Sequence, residues 1–90
     1  MHNFVLRDDS QALEIFDWLQ ELWPLGDVPE GPSYLIDTRW KVCDLVRRDE
    51  LIWMLERRAW RKTQAVVQLT DDEPLVMFKL KYGDQIILEY

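Results

Sequence analysis

Thr63-Gln64-Ala65-Val66-Val67-Gln68-Leu69-Thr70-Asp71-Asp72-Glu73-Pro74-Leu75-Val76-Met77-Phe78-Lys79-Leu80-Lys81-Tyr82-Gly83-Asp84-Gln85-Ile86-Ile87-Leu88-Glu89-Tyr90 is the stretch on which the fold turns. Ala65, Val67 and Leu69 alternate with other residues, as do Val76, Phe78, Leu80 and Tyr82, and then Ile86, Leu88 and Tyr90. A two-residue apolar repeat belongs to strands that bury one face. Asp71-Asp72-Glu73-Pro74 and Gly83-Asp84 separate the three runs and carry turn chemistry. The pattern predicts a three-stranded antiparallel meander, with strands near 63–70, 75–82 and 85–90 and with Lys79 and Lys81 turned away from the core.

Upstream the period changes to that of a helix. Asn3-Phe4-Val5-Leu6-Arg7 reads as a short strand, stopped by Asp8-Asp9-Ser10, whose side-chain oxygens suit a helix N-terminus. Ala12, Ile15, Phe16, Leu19, Leu22 and Trp23 then follow three-and-four spacing, one stripe of an amphipathic helix near 10–23. Glu14, Asp17 and Glu21 project from its other side and form an acidic face. Pro24, Gly26, Pro29, Gly31 and Pro32 end the helix and open a loop over 24–33. That loop is longer than the usual ~4–6 residues, which suits a partner-contacting segment as well as a rigidified connector.

Ser33-Tyr34-Leu35-Ile36 has the composition of a short strand. One helix over 42–60 would place Asp49 and Glu56 on the face of Val42, Leu45, Val46, Ile52 and Trp53, so a break near Arg48-Asp49 is expected. Asp49 then caps a segment with Leu51, Ile52, Leu55 and Ala59 on one stripe. Trp53 and Trp60, seven residues apart, share another side. The resulting class is α+β: a single domain over 1–90 in which an N-terminal strand, an amphipathic helix and central helical segments accompany an antiparallel sheet packed against the helices. Phe16 and Phe78 are expected in its core.

Apolar residues are 48% and charged residues 31% of the chain, a globular balance that excludes wholesale disorder and collagen-like repeats. Ninety residues form one core with a radius of gyration of roughly 12 Å, too small for a deep cofactor tunnel. No apolar run approaches the ~20 residues of a membrane span, and the first residues lack the basic and apolar regions of a secretory leader. A lone Cys43 makes no internal disulfide, which points to a reducing cytoplasm.

The net charge of −6 is unevenly distributed. Residues 1–38 hold eight acids and one Arg, residues 39–62 eight bases and four acids, and residues 63–90 five acids and two Lys. The middle third is therefore a basic island between acidic flanks, able to present faces of opposite sign to different partners.

Chemistry-bearing constellations are scarce. One His and one Cys, His2 and Cys43, do not make a metal motif or a nucleophile–base pair, and three glycines make no phosphate-cradling loop. The acid runs sit at expected element ends, where caps and turns account for them. No enzymatic activity, metal or cofactor is expected. The basic island interleaves Arg39, Lys41, Arg47, Arg48, Arg57, Arg58, Arg61 and Lys62 with Trp40, Trp53 and Trp60. Arg and aromatic residues together suit phosphates and unpaired bases, and they also suit protein interfaces; equally, Trp at helical spacing is ordinarily core.

The acidic helix is too weakly charged to copy a duplex. About 18 Å of helix carries four acids where B-DNA carries about ten charges, which leaves a partial mimic or an ordinary solvated face. The sequence therefore points to a binding module of the size and charge common among phage inhibitors and regulators, occupying a surface of a larger protein or nucleoprotein machine. Trp53, Trp60, Arg57 and Arg61 are the expected partner-binding or self-association surface, a homodimer included. RNA or single-stranded DNA binding through 39–62 is the second reading.

Overall fold

A computed structural model describes residues 2–57 and 65–90. Its elements in chain order are β1 (His2–Leu6), α1 (Ala12–Leu22), β2 (Trp40–Val42), α2 (Arg48–Arg57), β3 (Val66–Leu69), α3 (Asp72–Tyr82) and β4 (Ile86–Glu89). One-turn 3₁₀ segments cover Ser33–Leu35 and Gly83–Gln85. The four strands form one antiparallel sheet in the order β2-β3-β1-β4. The class is thus α+β, with the N-terminal strand, the helices and the antiparallel sheet in contact.

Alternation sets which sheet face is buried. Phe4 and Leu6 of β1, Trp40 and Val42 of β2, and Val67 and Leu69 of β3 all point to the helix side and are buried. α1 covers them with Ala12, Ile15, Phe16 and Leu19 of the expected stripe, and Trp23 just after the helix is buried too, whereas Leu22 is exposed; α2 adds Leu51, and α3 adds Phe78 and Tyr82. Phe16 meets Trp40 edge-on at 5.0 Å, and the Trp40 indole N–H donates to the Trp23 carbonyl at 2.8 Å, so the large buried indole is also satisfied. Phe4 and Phe78 pack at 5.1 Å, which places Phe16 and Phe78 in the core as expected.

The expected meander needs one correction: residues 75–82 are helical, not a strand, and the sheet is instead completed by β1 and β2. Asp71 has extended backbone at the N-cap position, while Asp72 and Glu73 lie in the first turn, where carboxylates complement the positive helix end. Pro74 sits within that turn, where its missing N–H removes no helical bond. Lys79 and Lys81 occupy the last turn. Pro74, Phe78 and Tyr82 recur every four residues and face inward, so the apparent alternation is one buried stripe plus an apolar outer side.

Smaller differences follow the same logic. Ser33–Leu35 is a 3₁₀ turn and not a strand. The region beyond it contains β2, and the expected break before α2 is present, but the helix starts at Arg48, so Asp49 lies in its first turn with Glu50 and is not its cap. The first C-terminal strand is observed over Val66–Leu69; residues 63 and 64 of that expectation lie outside the described residues. Among the described residues, no helix is long and apolar enough to cross a membrane.

Candidate functional site

The site begins with a tight turn. After β2 the chain reverses through Cys43 and Asp44, with Val42 and Leu45 exchanging backbone bonds of 3.1 and 2.9 Å. Both central residues have positive φ, 53° and 62°, a conformation that suits the sheet twist but normally calls for Asn or Gly. Each costs roughly 1–2 kcal/mol in a non-glycine residue. The Cys43 N–H donates to the Val66 carbonyl at 2.7 Å, which ties the strained turn to β3.

This turn carries Leu45 toward α2 and sets it beside the 3₁₀ segment. Arg47 fastens the two sides together: its guanidinium donates to the carbonyls of Pro29 and Gly31, to the Ser33 hydroxyl and to Glu50. Buried Ser33 in turn donates to the other Glu50 oxygen at 3.0 Å. The end of the 24–33 loop is therefore clamped to α2 by charge-assisted bonds.

Between these walls lie two adjoining open depressions of about 490 Å³ each, sharing Leu45, Glu50 and Met54. Trp53 borders one and Tyr34 the other, with 54% and 67% of their surfaces exposed. The Arg57 guanidinium stands 5.5 Å from the centre of the Trp53 ring. Asp44, Asp49 and Glu50 place carboxylates along the margin. The result is a shallow apolar and aromatic surface with an acidic edge.

Trp53 and Arg57, two of the four residues expected at a partner surface, are together here; Trp60 and Arg61 lie outside the described residues. Tyr34, Leu45 and Met54 join them without having been anticipated. The acidic face of α1 is partly engaged: Asp17 takes two bonds from Arg48, at 2.8 and 3.2 Å, Glu14 accepts from the Tyr82 hydroxyl at 3.3 Å, and Glu21 is exposed. The basic island is engaged likewise, since Arg39 pairs with Asp71 at 2.7 Å and Arg47 and Arg48 are held as described.

Titration follows these contacts. Burial, reinforced by Asp44 and Asp9, pushes the Cys43 thiol up to about 11 against the effect of its backbone bond, so it is a poor thiolate source at neutral pH. Burial and then Glu14 raise Tyr82 to about 12. Arg48 is raised by its bond to Asp17, and Asp8 is lowered chiefly by the Ser10 hydroxyl. Among the described residues, no three His, Cys, Asp or Glu side chains are grouped to hold a metal. The search for likenesses found no family model, curated protein or solved structure that matches the chain.

Proposed function

We propose that this protein is a non-catalytic binding module, a small phage-type inhibitor or regulator that occupies a surface of a larger protein or nucleoprotein machine through the Trp53 groove. The observation that carries this reading is a half-exposed Trp and an exposed Tyr bordering adjoining depressions on a scaffold already clamped by Arg47. Trp, Tyr and Arg are the types that dominate binding energy at interface centres, and a preformed surface loses little entropy on association. The acidic margin favours a partner segment that sets an apolar side chain between Lys or Arg residues. A cytoplasmic setting is part of the proposal, since it keeps Cys43 reduced.

Nucleic-acid binding is the weaker reading because Arg39, Arg47 and Arg48 already meet carboxylates within the fold. The test uses wild type, Trp53→Ala and Tyr34→Ala as baits against a host extract and against RNA and single-stranded DNA oligonucleotides. The proposal expects one protein captured by wild type and lost at least about tenfold with Trp53→Ala, a change of about 1.4 kcal/mol. Oligonucleotide binding that falls steeply with salt and ignores Trp53→Ala would replace it with the second reading.

A further inference from the structure

The two ends of the sheet are unlike. At one edge, β2 is three residues long, and its own turn returns to bond Val42. At the other, β4 has β1 on one side and, among the described residues, no strand on the other. Tyr90 exchanges both backbone bonds with Asn3, each 2.9 Å, so by antiparallel alternation Leu88 also turns its backbone to β1, whereas Ile87 and Glu89 turn theirs outward. The register shift at Val5/Leu6 lets Ile86 reach the core while Ile87 stays half-exposed on the helix side; Leu88 and Tyr90 are exposed on the far face.

α3 borders this same edge. The Lys79 ammonium is 3.1 Å from the Glu89 carboxylate, and Val76 and Leu80 flank Lys79 on the side of the helix opposite Phe78. Leu80 is 82% exposed. An open strand edge beside an apolar helix flank is a template for pairing that soluble proteins ordinarily blunt with charge. Here the one edge acid is neutralised by Lys79.

We propose that this edge joins two copies of the chain, β4 pairing antiparallel with β4 about a two-fold axis at Leu88. In that register Ile87 of each copy lies opposite Glu89 of the other, so the outward N–H and C=O groups form a matched set of bonds, and the two Leu88 side chains meet at a close non-hydrogen-bonded position. The axis is perpendicular to the sheet, which keeps both α3 helices on one face and brings Val76 and Leu80 of the two copies together above the joined strands. The Glu89 carboxylates arrive already paired with Lys79. Val76, Leu80, Ile87, Leu88 and Tyr90 expose on the order of 500 Å² per copy, so a dimer would bury about 1,000 Å², the lower bound of a specific interface. A strand edge that pairs with itself also makes an isologous contact, which closes at two.

Sedimentation equilibrium of the full chain, from low to several hundred micromolar, tests this with two variants whose secondary structure is verified by circular dichroism. Leu80→Glu alters the exposed helix flank; Glu89→Pro removes an outward N–H and spares the bonds between Tyr90 and Asn3. The expected result is a wild-type dimer, weakened about tenfold or more by each variant, unchanged by Trp53→Ala, with amide exchange at Ile87 slowing as concentration rises. A chain that stays at 10.9 kDa throughout overturns the proposal. So does a dimer indifferent to Glu89→Pro, or one lost with Trp53→Ala.

Discussion

α1 and α3 are both eleven residues long and lie against the same sheet face, but they distribute apolar side chains differently. α1 turns Ala12, Ile15, Phe16 and Leu19 inward and offers water mainly Glu14, Asp17, Gln20 and Glu21. α3 turns Pro74, Phe78 and Tyr82 inward and still leaves Val76, Met77 and Leu80 outside. α1 leaves one apolar side chain exposed, Leu22 at its last position, whereas α3 leaves three. Contiguous exposed apolar surface of that kind marks a contact site more often than a packing element.

The comparison breaks first at the core positions. Phe16→Ala and Phe78→Ala should each cost ~3–5 kcal/mol in denaturant unfolding, because both rings are buried against partners that cannot close the cavity. Wild-type stability in Phe78→Ala would show that α3 does not cover the sheet as described.

A smaller effect is expected where the two helices meet. Trp18 stands edge-on to Tyr82 at 5.5 Å, and the Tyr82 hydroxyl donates to Glu14, a bond that requires the phenol to keep its proton. Because the folded pKa is raised from 10.0 to about 12, this contribution is complete below pH 10 and is lost as pH rises to 12. Cys43, raised from 9.0 to about 11, adds a loss beginning near pH 9. Stability measured across pH 8–12 should therefore fall, and Tyr82→Phe should flatten the upper part of that fall while Cys43→Ser flattens the lower.

On the outer surfaces the effects shrink further. Asp17→Asn removes an exposed pair with Arg48 and should change stability by about 1 kcal/mol or less, a difference that fades with added salt. Leu80→Gln should change monomer stability by about 0.5 kcal/mol at most. A large loss from Leu80→Gln in dilute solution would mean that the outer side of α3 belongs to the monomer's core after all.

The same contrast explains what was legible in the sequence. α1 reads cleanly because its two sides differ in polarity. In α3, residues two apart lie 200° apart around the helix, so an apolar residue on each side imitates the alternation of a strand. The available signal was Asp71-Asp72-Glu73-Pro74, which suits a helix start as well as a turn. β3 showed its period and β1 its short apolar run; β4 is a strand as expected, but the register shift at Val5/Leu6 leaves only Ile86 of the alternating Ile86, Leu88 and Tyr90 against the core, with Leu88 and Tyr90 exposed. The break before α2 followed from Asp49 and Glu56. β2 was not legible, being short and ending in Cys43-Asp44 where a hairpin ordinarily shows Asn-Gly.

The site was half legible for a related reason. Trp53 and Arg57 could be placed on an exposed side by helical spacing alone. Met54 adjoins Trp53 on α2, but Tyr34 and Leu45 reach it only through the β2 turn and the Arg47 clamp, which bring distant positions together. Local periodicity carries no information about such a join.

The function proposed here rests most directly on Trp53, and capture of the binding partner by wild type, Trp53→Ala and Leu80→Glu at matched monomer concentration tests it. The account predicts that Trp53→Ala, with its near-ultraviolet dichroism otherwise native, loses the partner while Leu80→Glu retains it. Undiminished capture by a folded Trp53→Ala protein would contradict the account and remove the groove from consideration.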